Sequence, residues 1–343
     1  MMRPLIPQGR ISGYARALMM GSLRLDLGAG VAFFIAGCTC TDSREKTGVA
    51  SNASSLAQAS ASGSVSATPT AQRPPRPTQA APKPETITAL SSDRFKLHVS
   101  RWKAKEPSTV SVLLVHRLGG DRSEWTPLIE RLLPSDEPMD IVSFDLRGHG
   151  ESTVDPAKPN RPVHWSSFDL ATFEKMDGDV EAVMGLHEKG NKFKWILVGS
   201  DLGANLVVRQ AHRRSDNIVA VALVSPGASL RGLELYRPFA SVLELPNLLL
   251  AGTKDTVSDE PVRLLGQMSK TSTRVTWDVS GHGAEALGKE RWQMWDELAN
   301  WIDERVRGTR TMVETEGSAS PPASASSGGV GSVGSVEVSK PAP

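Results

Sequence analysis

The chain is poor in aromatic residues, poor in cysteine and nearly without net charge. Its 343 residues include two tyrosines, Tyr14 and Tyr236, and two cysteines, Cys38 and Cys40. Net charge is +1 and no basic block stands out, which argues against a clustered cationic face for nucleic acid. Two cysteines so close together provide no disulfide framework, so the fold must rest on its core. No Cys/His cluster has metal-ligand spacing. The one Gly-Ser-Asp-Leu-Gly turn lacks the Lys-Ser/Thr of a phosphate loop. No metal and no organic cofactor is expected.

Large apolar side chains are also scarce at both ends. Residues 38–84 are dominated by Ala, Ser, Thr and Pro, a composition that cannot bury enough surface to offset the entropy of ordering. They read as a disordered tether, and residues 308–343 as a low-complexity tail of the same kind. Residues 1–37 read as a targeting signal. Arg3, Arg10, Arg16 and Arg24 precede an apolar run at 27–38 that ends in Ile-Ala-Gly-Cys. The run falls short of the about 20 residues that span a bilayer and fits a signal-peptide core. Its end resembles the bacterial lipobox. That resemblance implies lipidation of Cys38, a membrane anchor and a place in the bacterial cell envelope. Met19 and Met20 are alternative starts for such a signal. This leaves residues 85–307 as the folded domain.

In that range, apolar runs alternate with helical periods. A continuous apolar stretch at 109–116 predicts a strand buried on both faces, and β-rich runs at 139–145, 194–200, 218–225, 245–253 and 273–280 predict further strands. Helical spacing predicts helices over 123–133, 169–190, 202–214 and 290–306, the first with Ser123 as N-cap. Such alternation implies a mostly parallel sheet flanked by helices. The segments at 85–91 and 94–102 are expected to pair as an edge hairpin. Residues 224–246 are too short for a cap domain and are expected to hold one helix around 230–243.

The stretch Trp195 to Val208, WILVGSDLGANLVV, reads as a strand, a sharp turn and a helix. Close packing at such a turn demands small residues two places before and two after the side chain it presents. Gly199 and Gly203 meet that demand only if Asp201 is central. With Ser200 at the centre, Val198 and Leu202 would clash. Asp255 follows a later strand, and His282 a later one still.

Six motifs in order, HRLGGDRSEW, DLRGHGES, GSDLGAN, SPGASLRGL, AGTKD and SGHG, make the domain resemble the α/β-hydrolase superfamily over nearly all of residues 85–307. It is most similar to capless bacterial members near the dienelactone hydrolase and serine aminopeptidase-like groups. The resemblance implies a site with Asp201 in the nucleophile position, Asp255 as orienting acid and His282 as base. It also implies an oxyanion hole from the backbone of Arg117 or Leu118 and of Leu202. Two positions depart from the pattern. Arg117 stands where a glycine is common, and Asp201 stands where serine or cysteine is usual.

A carboxylate attacking an acyl carbon forms a high-energy anhydride, whereas attack on saturated carbon forms an ester that water can cleave. Haloalkane dehalogenases and epoxide hydrolases of this fold work in that way. Their accessory groups are not evident here: Leu202 stands where a Trp is common, and Tyr236 would act alone. Two function classes therefore stand. One is a membrane-tethered hydrolase of a small molecule, with epoxide or carbon–halogen cleavage a narrower form. The other is a catalytically degenerate binding or scaffold protein. His116 and His149 read as structural. Trp292, Trp295 and Trp301 read as core. Arg117 and Arg122 are potential anion anchors, though such arginines more often pair with carboxylates.

Overall fold

The computed structural model describes residues 75–188, 193–288 and 292–318. The signal segment, Cys38 and most of the tether and tail lie outside the described residues. Strands β1 (Glu85–Leu90) and β2 (Lys96–Trp102) form the expected antiparallel hairpin. They are followed by β3 (Val110–Val115), helix α1 (Thr126–Leu132) and β4 (Asp140–Phe144). Helices α2 (Leu170–Glu174) and α3 (Met176–His187) then lead to β5 (Lys194–Ser200), α4 (Leu202–Arg213) and β6 (Ile218–Val224). A short hairpin, β7 (Ser229–Leu230) with β8 (Leu233–Glu234), precedes helix α5 (Tyr236–Ala240). The chain continues through β9 (Asn247–Gly252), α6 (Asp259–Met268), β10 (Ser272–Trp277) and α7 (Trp292–Ser318).

The main sheet has eight strands in the order β1-β2-β4-β3-β5-β6-β9-β10. Pairing is parallel from β4 to β10 and antiparallel at β1–β2 and β2–β4. The apolar runs are continuous because both faces are covered. On β3, Leu113 and Val115 join a core that includes Val180 of α3 and Val207 of α4. Val112 and Leu114 point the other way, into a core with Leu128 of α1 and Trp295 and Leu298 of α7. The two-residue period of the strand thus feeds two separate cores. Trp295 and Trp301 are buried there, as a core role requires.

Local chemistry shifted several boundaries. The helix expected over 169–190 is two helices that meet at Lys175, the first capped by Asp169, whose side chain accepts from the Thr172 N–H. The cap expected at Ser123 belongs to Asp121, which starts a 3₁₀ turn over Arg122–Trp125 ahead of α1. Residues 230–243 hold the β7–β8 hairpin as well as a helix. Its turn residues, Arg231 and Gly232, both have positive φ, 50° and 82°, the backbone of a tight two-residue hairpin loop.

Order extends beyond residues 85–307 at both ends. Helix α7 runs on to Ser318. Arg76 is seated on the domain: its guanidinium pairs with Asp303 at 2.5 Å and bonds to the Arg131 carbonyl and to Asn300. Its N–H donates to Asp296 at 2.8 Å, and Asp296 in turn pairs with the buried Arg131. Hydrogen bonds to charged groups are worth roughly 1.5–3 kcal/mol. A protein starting at residue 85 is therefore expected to be less stable than one starting at residue 75 by on the order of 2 kcal/mol. Parallel urea denaturation of the two proteins measures the difference, and equal midpoints would show that the Arg76 contacts add nothing.

Candidate active site

The site forms where β5 turns into α4. Gly199 and Gly203 let the backbones approach: a Cβ on Gly203 would lie 2.2 Å from the Val115 carbonyl oxygen, and one on Gly199 2.3 Å from the Gly203 oxygen. The turn between them puts Asp201 at φ 50°, ψ −114°, a conformation that non-glycine residues avoid because it costs energy. The surroundings hold it there. The Asp201 N–H donates to the Val224 carbonyl at 2.9 Å, and its own carbonyl accepts from Ala204 at 3.0 Å.

This turn carries Asp201 to His282. Asp201 Oδ1 lies 2.8 Å from His282 Nε2. On the far side of the imidazole, His282 Nδ1 is 2.9 Å and 3.0 Å from the two Asp255 oxygens. All three residues predicted for the triad are therefore in contact. Asp201 and Asp255 are buried, at 7 % and 4 % exposure. The second Asp201 oxygen, Oδ2, accepts the Leu118 N–H at 3.0 Å. Of the predicted oxyanion-hole donors, Leu118 thus faces the nucleophile position. Leu202 begins α4, so its N–H is one of the helix's unpaired donors. The Arg117 N–H points elsewhere, to Glu124 at 3.4 Å.

Burial alone would lower the His282 pKa, but hydrogen bonds and charge from Asp201 and Asp255 outweigh it and raise it to about 9. Burial would raise the Asp255 carboxyl, but its bond to His282 and the imidazolium charge bring it below its ordinary value. At neutral pH the imidazole is a cation between two acids. His116 and His149 differ: burial lowers them to about 4 and about 3, and both are neutral. His116 donates from Nδ1 to the Arg117 carbonyl and accepts the Leu146 N–H at Nε2, which ties the loop after β3 to the end of β4. His149 donates from Nδ1 to the Arg147 carbonyl and stacks on Trp165.

The other candidates are occupied. Arg122 pairs with Asp145 and Glu151, and Arg117 with Glu124 and Glu285, so neither is a free anion anchor. The charges that act on Tyr236 belong to Glu260 and Arg263 of α6, not to the triad. The sequence reading missed Glu124 and Ser200. Ser200 accepts the Ala284 N–H at 2.7 Å, two residues past His282. Nothing in the order of residues marks this contact, because it joins loops far apart in the chain.

Residues 112–335 match the sequence profile of the alpha/beta hydrolase family. The chain belongs to that family. Solved structures share its fold at low identity. The enol-lactonase from Burkholderia xenovorans is 17 % identical, with a TM-score of 0.51, over 64 % of this chain and 100 % of that one. A highly thermostable carboxyl esterase from Bacillus coagulans is 10 % identical, with a TM-score of 0.52, over 66 % of this chain and 100 % of that one. An alpha/beta hydrolase from Novosphingobium aromaticivorans is 16 % identical, with a TM-score of 0.51, over 66 % of this chain and 99 % of that one. No curated protein matches the chain.

The raised pKa of His282 makes a prediction for this α/β hydrolase. A histidine raised from 6.5 to about 9 in the folded state adds stability that is complete below its unfolded pKa and is lost as pH rises through the folded value. Wild type is expected to lose thermal stability between about pH 6.5 and pH 9 relative to His282→Gln. Melting curves of both proteins across that window give the difference directly, and parallel pH profiles would contradict the ion-paired imidazole.

Proposed function

We propose that the protein is a hydrolase in which the Asp201 carboxylate attacks saturated carbon of a small organic substrate. The observation that carries this reading is the Leu118 N–H on Asp201 Oδ2. An acyl substrate would need that donor for its own oxyanion, and in the resting site the nucleophile's second oxygen already holds it. For attack on saturated carbon the same bond is useful twice. It orients the carboxylate first. It then stabilises the oxygen that becomes anionic when water adds to the resulting ester.

In the first step a C–O bond forms to one Asp201 oxygen, and the leaving group departs from carbon with the bonding electron pair. The carboxylate charge disappears on alkylation, and with it the largest upward influence on His282. The imidazole then gives its proton to the departing group or to water and becomes a base near neutral pH. In the second step His282 Nε2 takes a proton from water, and the hydroxide oxygen adds to the Asp201 carboxyl carbon. Collapse of that adduct expels the alkoxide, which takes the proton from His282 Nε2 and leaves as the alcohol; the Asp201 acid then passes its own proton to His282, while Asp255 holds Nδ1 throughout.

A second reading is supported by the same distances. Both Asp201 oxygens are satisfied by the protein, and the imidazolium is neutralised on each side. Such a closed network would also persist in a non-catalytic binding protein.

Wild type and His282→Ala, tested on short epoxides, haloalkanes and esters, separate these readings. Wild type is expected to turn over an epoxide or a haloalkane. His282→Ala is expected to lose on the order of 10²–10⁴-fold in rate and to accumulate an alkyl adduct on Asp201, visible as a mass increase of the intact protein. Turnover of esters alone would remove the saturated-carbon route. Absence of both turnover and adduct would favour the binding protein.

The proposal extends to location. The arginines before the apolar run and its Ile-Ala-Gly-Cys end support a lipid anchor on Cys38 that holds the enzyme at the bacterial envelope. Expressed in a bacterium fed radiolabelled palmitate, wild type is expected to carry label and to sediment with membranes. Cys38→Ala is expected to lose the label, and a labelled Cys38→Ala would exclude this anchor.

A further inference from the structure

Behind the triad, a ring of polar contacts joins three loops. Glu124 follows the oxyanion loop, and its side chain is 9 % exposed. Its carboxylate meets Arg117 Nε at 3.3 Å and lies beside the Ser200 side chain, whose hydroxyl acts on its charge. Ser200 immediately precedes Asp201 and accepts the Ala284 N–H. The ring closes through Arg117, whose Nη2 reaches Glu285 at 2.9 Å. Gly283 lies inside it with φ +68°; a Cβ there would lie 2.9 Å from Ser200 Oγ and 3.1 Å from Arg117 Cδ. Gly120 leaves room for the carboxylate, since a Cβ there would come within 2.6 Å of Glu124 Oε2. Each of these residues touches the oxyanion loop, the turn at Asp201 or the loop that carries His282.

We infer that Glu124 is a positioning residue that couples the place of His282 to its own protonation state through Ser200 and Arg117. The charged groups around it are Arg117 from the oxyanion loop and Asp201 from the turn, with Glu285 facing Arg117 from the His282 loop. Burial raises the Glu124 carboxyl to about 7, the Asp201 charge adds to the rise, and Ser200 and Arg117 oppose it. Ionised Glu124 draws Arg117 inward and accepts the Ser200 hydroxyl. Neutral Glu124 leaves Arg117 to Glu285, and the loop bearing His282 shifts with it. The device rests on the hydrolase reading for its purpose, and on the ring alone for its existence.

The test is an NMR pH titration of the full chain labelled with ¹⁵N-histidine, with the His282 signal assigned from His282→Gln. Wild type is expected to show a minor inflection of the His282 signal near pH 7 and a major one near pH 9, at the values to which Glu124 and His282 are raised. Glu124→Gln should lose the first and keep the second. Ser200→Ala should retain at most half of the first. A wild type with no inflection near pH 7, or one that survives in Glu124→Gln, overturns the inference. An undiminished inflection in Ser200→Ala overturns the route through the hydroxyl. On any epoxide or haloalkane that wild type turns over, Glu124→Gln should lower kcat on the order of 100-fold above pH 7 with KM unchanged, the cost of a misplaced base. If nothing is turned over, the hydrolase reading fails while the titration still decides the ring.

Discussion

The close approach of the β5–α4 turn to the end of β3 governs the rest of the site. With Gly203 packed against the Val115 carbonyl and Gly199 against Gly203, no other path is open to the backbone between them. Asp201 takes a positive φ because the two glycines leave it no alternative, and the strain is borne by hydrogen bonds to Val224 and Ala204. The same approach brings the Leu118 N–H to Asp201 Oδ2. The sheet order then places the ends of β9 and β10 on the far side, where Asp255 and the His282 loop complete the set. A side chain at either glycine would displace Asp201, and with it the contacts to the Leu118 N–H and to His282.

Much of this was legible in the residues, for identifiable reasons. The inner strands are buried on both faces, so they read as unbroken apolar runs, and β3, β5, β6 and β9 lie where those runs are. The turn at Asp201 was legible because its packing admits glycine alone at 199 and 203. The break at Lys175 was not, because α2 and α3 share one helical period and no side chain caps the junction between them. The β7–β8 hairpin was hidden by its turn: Arg231 sits in a conformation usually given to Asn, Asp or Gly. Glu124 was hidden for a deeper reason. It resembles any exposed acid on a helical face, and only the folding of three loops around it covers most of its side chain.

The aspartate at the turn also sets the charge of everything nearby. A serine would leave His282 paired with one acid; Asp201 gives it two and holds it as a cation at neutral pH. The site then stores a proton that must leave before His282 can activate water. In the mechanism we propose, alkylation of Asp201 removes the charge that holds that proton, so the first step prepares the second.

The same charge bears on the part that Arg117 plays. Asp201 raises the free energy of a second anion next to it, and Glu124, one such anion, is pushed toward its neutral form by burial and by Asp201 together. Arg117 opposes both effects, since its guanidinium lies against Glu124 and reaches Glu285 on the His282 loop. A glycine at 117 would leave Glu124 without a counter-charge and the His282 loop without its second tie to the oxyanion loop. Asp201 and Arg117 thus belong to one electrostatic arrangement: an anion at the turn and a cation one layer behind it.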